Sequence, residues 1–81
     1  MSRTLDNRRH EALRAFLVER RDKAGLSQTD LAKRLRRSQS YVSYVETGQK
    51  LVEVVEMMEW AEAIGFDVSE IIKRLAKVPR R

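Results

Sequence analysis

Residues 26–49 read LSQTDLAKRLRRSQSYVSYVETGQ, and this run decides the fold. Ser27 is a good helix N-cap, and Asp30 three residues on completes a weaker form of the capping box. Leu31, Ala32 and Leu35 then share one face of a helix of roughly nine residues. After "RRS", Ser38 offers a second N-cap. Val42 and Val45 face inward on the helix that follows, with Tyr41 at its edge, and Gly48 closes it. Two short helices are joined by only a few residues, and Ala32 supplies the small side chain that close packing between them requires.

The same periodicity extends to both sides. Helix 1 is expected from Asn7 to Ala24, with Leu13, Phe16, Leu17 and Ala24 on one face and Leu26 folding back after Gly25. Helix 4 is expected over Val52 to Ile64, burying Val54, Met57, Met58, Ala61 and Ile64. Glu53, Glu56, Glu59 and Glu62 recur every third residue and coat its outer half. Trp60 and Val55 flank its inner face, half exposed. Helix 5 runs from Val68 or Ser69 to Lys77, with Val68, Ile71, Leu75 and Val78 inward. Gly25, Gly48 and Gly65 each follow a helical pattern, where a left-handed terminating residue belongs. No period-2 alternation is long enough for a strand. The expectation is an all-α, compact four- to five-helix bundle forming one domain over residues 1–81, with 1–6 and 78–81 frayed.

Composition narrows the function. The chain has 81 residues, a net charge of +5 and no cysteine. Disulfides and Cys-based zinc sites are excluded, and a lone His10 without a carboxylate cluster gives no metal site. No apolar run approaches the ~18 residues that span a bilayer, and MSRTLDNRRHEA lacks the apolar stretch of a secretory signal. A cytoplasmic protein without a membrane partner or cofactor is expected. With no His in a triad arrangement and no phosphate-cradling glycine loop, it is not expected to be an enzyme. Charge is uneven: residues 1–50 hold 12 Lys/Arg and 6 Asp/Glu, a net of +6, whereas residues 51–81 hold 5 and 6, a net of −1. A concentrated basic segment points to a polyanion.

Within that basic half, Gln39 to Val45 carries no charge. With Val42 and Val45 buried, the opposite face of helix 3 presents Gln39, Ser40, Ser43, Tyr44 and Thr47. Gln pairs bidentately with adenine, Ser reads several bases, and Thr or Tyr meets the thymine methyl. A neutral donor and acceptor face suits base edges, while Arg34, Arg36, Arg37 and Lys50 at its rim suit phosphates. The second helix of a helix-turn-helix enters the major groove in this way. Gln39, Ser40, Ser43 and Tyr44 are therefore the expected base contacts. Ser38, Tyr41 and Thr47 join the phosphate set.

LSQTDLAKRL followed by SQSYVSYVETGQ resembles the Cro and phage-repressor type helix-turn-helix, the XRE-like family. The resemblance runs from about Leu13 to Leu75. It implies a bundle of four or five helices that binds operator DNA as a dimer. It further implies that Gln28 contacts the phosphate backbone from the start of helix 2, that Gln49 and Lys50 hold the backbone after helix 3, and that Arg21 and Glu46 form a partly buried ion pair. Three positions depart from the family pattern. Arg36 stands where glycine is usual in the turn, Arg37 stands where a small apolar residue is common, and Tyr44 stands where Arg, Lys or Gln is commoner.

The function expected is a sequence-specific regulator of transcription, prokaryotic or phage, acting as a repressor on double-stranded DNA with no small-molecule effector. Homodimers would span half-sites about 34 Å apart, with Trp60, Phe66 and Ile72 as candidates for the seam. The alternatives are a DNA-binding antitoxin and a protein-interaction module on the same scaffold.

Overall fold

A computed structural model describes residues 7–79. Five helices succeed one another: α1 (Asn7–Lys23), α2 (Gln28–Leu35), α3 (Gln39–Glu46), α4 (Val54–Ile64) and α5 (Val68–Ala76), with no strand among the described residues. α2 and α3 pack on each other, α1 runs behind α3, and α5 closes the bundle against α1 and α4. The core draws on every helix: Leu13, Phe16 and Leu17; Leu31 and Ala32; Tyr41, Val42 and Val45; Met57, Trp60 and Ala61; and Ile71, with Phe66 from the α4–α5 connection.

The helix ends follow from their capping residues. Ser27 and Asp30 exchange hydrogen bonds, each 3.0 Å, in a complete capping box, and the Ser38 hydroxyl accepts from the Tyr41 amide at 3.1 Å. α4 starts at Val54 rather than Val52 because Glu56 reaches back to the Glu53 amide at 3.0 Å and fixes Glu53 as the N-cap. Asp67 caps α5 by accepting from the Ser69 amide at 2.9 Å. Ala24 lies past the end of α1, exposed. Val78 is half-buried, and its carbonyl accepts from the Arg9 guanidinium at 3.2 Å. Residues 1–6, 80 and 81 lie outside the described residues.

α2 ends as the glycine-terminated helices do, with a left-handed residue, but that residue is Arg36 at φ 58°. Its amide bonds to the Lys33 carbonyl and the Arg37 amide to that of Ala32, the double closure of a Schellman motif. A Cβ in the left-handed region costs roughly 1 kcal/mol. Arg36→Gly is therefore expected to raise stability by up to about 1 kcal/mol, read as a higher midpoint in denaturant titration. An unchanged or lower midpoint would show that the turn carries no strain.

α4 is rotated from its expected setting. Glu56, Met57, Trp60 and Ala61 face the core, while Val54, Val55 and Met58 are exposed. Trp60 is the largest fully buried side chain, at 0% exposure. Trp60 brings the largest single apolar side chain of α4 into the core. Glu56 is accommodated because its carboxylate is fully bonded. Tyr41 Oη donates to Oε2 at 2.9 Å, Lys50 Nζ lies 3.3 Å from Oε1, and the Glu53 amide completes the set. Trp60 Nε1 in turn donates to Tyr41 Oη at 3.1 Å. A chain from indole to hydroxyl to carboxylate to ammonium thus satisfies every polar atom that α4 carries into this part of the core.

Candidate nucleic-acid interface

The exposed side of α3 begins at the Ser38 cap and is held from behind by a relay of polar side chains. Arg21, near the end of α1, donates to Glu46 from Nε at 2.6 Å and from Nη2 at 3.0 Å, and to the Leu26 carbonyl from Nη1 at 2.8 Å. Both partners are largely buried, with side-chain exposures of 12% and 5%. Gln28 Nε2 donates to Glu46 Oε1 at 2.9 Å, and Gln39 Nε2 donates to Gln28 Oε1 at 2.6 Å. The bidentate pair locks the end of α1 to the end of α3, and the two amides carry that order to the first residue of α3. Hydrogen bonding to Glu46 raises the Arg21 pKa against the opposing effect of burial. The Ser27 amide and hydroxyl, in that order, lower the Asp30 pKa.

Gln39, Ser40 and Tyr44 stand exposed on α3, and Ser43 is half-buried beside them. Gln39 uses one amide proton on Gln28 and keeps its carbonyl and second proton for an outside partner. Ser38 is spent on the cap. Thr47 Oγ1 donates to the Ser43 carbonyl at 2.9 Å and accepts from Gln49 Nε2 at 3.1 Å. Arg36 is exposed at the turn. Three cations of the expected phosphate set are likewise engaged inside the domain. Arg34 donates to the Ala63 carbonyl at 2.8 Å, at the end of α4. Arg37 lies over the Tyr41 ring, 4.5 Å from its centroid, between Glu56 at 3.8 Å and Glu59 at 3.6 Å. Lys50 sits against Glu56 and the Leu51 carbonyl.

Two expectations need correcting. Tyr41 is no phosphate contact, because it is buried (8% exposed) and its hydroxyl is committed to Glu56 and Trp60. Burial raises its pKa, with the Glu56 hydrogen bond adding to the effect and the Trp60 hydrogen bond opposing it. Trp60 and Phe66 cannot form a seam with a partner, since both lie in the core. Phe66 meets Phe16 edge-on at 5.1 Å beneath Arg20, whose Nη1 holds Glu70 at 2.6 Å. Ile72 is exposed on α5.

Glu56 is the residue that the sequence pattern passed over. It holds the α3–α4 connection to the core, yet it is one of four glutamates at three-residue spacing, and nothing local sets it apart. Desolvation raises its pKa, but the Glu53 amide, the Tyr41 hydroxyl and Lys50 together outweigh it, and the net shift is downward. A depressed folded value means that the stabilisation is fully present above the unfolded carboxyl pKa and is lost as pH falls through the folded one. Thermal melts from pH 7 down to about pH 3 should therefore show a steeper acid-side loss in the natural protein than in Glu56→Gln, spanning the region below about pH 4.3. Parallel curves would show that Glu56 contributes nothing to the acid transition.

Among the described residues no group of three or more His, Asp or Glu is placed to hold a metal ion, and no helix is long and apolar enough to cross a membrane. Comparison with known proteins agrees with the α2–α3 geometry. A family model described as a helix-turn-helix domain matches residues 12–71. A search of curated proteins returned no match. An XRE-family like protein from Pseudomonas syringae pv. tomato superposes with a TM-score of 0.83 at 39% identity, over 90% of each chain. The clp gene regulator ClgR from Corynebacterium glutamicum superposes with a TM-score of 0.76 at 31% identity, over 84% of this chain and 88% of that one. A second ClgR structure gives 0.77 at 30% identity, over 88% and 76%. With its paired short helices, Arg21–Glu46 lock and uncharged α3 face, this chain belongs to the XRE-like helix-turn-helix family.

Proposed function

We propose that this protein is a DNA-binding transcriptional regulator that lays α3 in the major groove of an operator. The observation that carries the reading is Gln39. It stands exposed at the N-terminal end of α3, is anchored from behind by Gln28, and has free polar atoms to offer. A side chain fixed on one edge and open on the other has the pre-organisation that bidentate base reading requires. Ser40, Ser43 and Tyr44 extend the face. Arg36 is its most available phosphate donor, with Gln49 and Lys50 beyond the other end. Arg34 and Arg37 serve the fold first and add positive potential rather than direct contacts. The similarity to a clp gene regulator supports a role in transcription. Repression by occlusion of polymerase, from a dimer on two half-sites, is the simplest mechanism for a domain of this size.

Selection of duplexes from a random library at about 150 mM salt tests the reading, since an enriched motif is expected and salt-sensitive binding without one would refute it. Within the enriched motif, Gln39→Ala should lose about 1–3 kcal/mol of discrimination at one base pair and leave the others unchanged. Preserved discrimination at every position would remove Gln39 from the reading face. Arg36→Gly, stabilising in the fold, should weaken binding to all sequences alike and lower the salt slope by about one.

A further inference from the structure

Three arginines among the described residues are half-buried, and all lie on α1. Arg20 is held by Glu70 at 2.6 Å and Arg21 by Glu46 at 2.6 Å. Arg14 forms no hydrogen bond or ion pair among the described residues. Its guanidinium rests on the backbone just past α3: a Cβ on Gly48 would stand 2.9 Å from Cζ and 3.0 Å from Nε and Nη1. Cζ is the nearest of the three, so the group lies face-on to Gly48, and its N–H bonds run along the plane, clear of the contact. A guanidinium that gives up part of its hydration and donates to nothing is incomplete. We propose that Arg14 anchors a DNA backbone phosphate at the far end of α3, a role that rests on the DNA-binding reading.

The donors at that end of α3 favour phosphate as the ligand. The amides of Thr47, Gly48, Gln49 and Lys50 all return to the carbonyls of Ser43, Val45 and Tyr44, between 2.8 and 3.2 Å. Thr47 Oγ1 donates to the Ser43 carbonyl, Gln49 spends one amide proton on Thr47, and Lys50 is drawn to Glu56. The segment after α3 thus holds no uncommitted cation of its own, and Arg14 supplies one from α1. The carbonyl end of α3 attracts its charge. Those carbonyls already accept from the amides, so the attraction places the guanidinium without using its protons. Donors set side by side in one plane suit a phosphate, which takes them in pairs. Arg36, exposed at the turn before α3, is the matching donor at the other end. A guanidinium at each end fixes the register of the helix between them. Gly48 is required on two counts, its φ of 85° and the space that Arg14 fills. Sequence spacing does not reveal the pair, because Arg14 belongs to α1 and nothing local ties it to Gly48.

The test is Arg14→Gln in the full chain, with Lys73→Gln as a control that removes the same charge from α5, which packs on α1 and α4. Loss of one phosphate contact should weaken binding to every duplex and leave base preference unchanged. As salt rises from about 50 to about 150 mM, the advantage of the natural protein over Arg14→Gln should shrink roughly threefold. Arg14→Lys keeps the charge and should restore that salt dependence. A lower melting temperature with an unchanged salt dependence would leave Arg14 as a charge on the α3 dipole and overturn the proposal. So would a Lys73→Gln effect as large as that of Arg14→Gln, since net charge alone would then account for both. Phosphate recognition is also read without DNA. In a titration with inorganic phosphate, followed through the arginine Nε–H resonances, Arg14 should shift saturably while Arg20 and Arg21 move little. A silent Arg14 overturns the proposal. A natural protein that shows the shift yet binds no duplex would sink the DNA-binding reading and leave Arg14 a phosphate site for another ligand.

Discussion

Trp60→Ala is expected to cost about 4 kcal/mol and to lower the melting temperature by roughly 15–30 °C. Trp60 is fully buried where α4 meets α3, and its indole donates to Tyr41 Oη. Truncation removes the largest apolar area in the core, leaves a cavity that helices on every side hold open, and strips the Tyr41 hydroxyl of a donor. A domain of this length has a total stability of roughly 4–12 kcal/mol, so the variant should lose between about a third and all of it. Trp60 is the only tryptophan. Unfolding must therefore be followed by far-ultraviolet circular dichroism rather than by fluorescence. Trp60→Phe separates the two contributions: it keeps most of the bulk, loses the N–H, and should cost about 1–2 kcal/mol. If Trp60→Ala melted within a few degrees of the natural protein, the rotated setting of α4 would be refuted.

That setting is also where the sequence was least legible, for a physical reason. α4 carries Val54, Val55, Met57, Met58, Trp60, Ala61, Ala63 and Ile64, apolar residues on almost every side. A helix apolar nearly all round has no period that selects a face. The glutamates seemed to choose one, because four at three-residue spacing describe a solvated half. The true arbiter lies fifteen residues upstream. Tyr41 provides the hydroxyl that lets Trp60 and Glu56 be buried side by side, and no local pattern encodes that meeting. α2 and α3 were readable for the opposite reason. Ser27, Asp30, Ser38 and Gly48 act on their own neighbours, and Leu31, Val42 and Val45 fall at helical spacing. The exposed set on α3 followed from its buried set. Which rim cations are free did not follow, since Arg34 and Arg37 answer to α4, a partner that sequence spacing does not place.

Glu46→Ala is expected to cost about 3–5 kcal/mol, the penalty of leaving one member of a buried ion pair uncompensated. Arg21 would keep the Leu26 carbonyl and the exposed Asp22, 3.3 Å from Nη1, and the Gln28 amide would lose its acceptor. The converse variant, Arg21→Met, strands a carboxylate that is 5% exposed and should cost about as much. The informative protein is the double variant Arg21→Met with Glu46→Leu. Replacing both charges by apolar side chains of similar size is often neutral or better, so most of the lost stability should return. Function should not return with it. Gln28 would no longer be held by Glu46, and Gln39 would be paired with an amide free to rotate. Discrimination at the Gln39 base pair should then fall by about 1–3 kcal/mol, as in Gln39→Ala, although the double variant melts near the natural temperature. Recovery of both stability and discrimination would show that the ion pair serves the fold alone. Recovery of stability without discrimination would mean that the buried charges are kept to aim a side chain on the protein surface, at little or no net gain in stability.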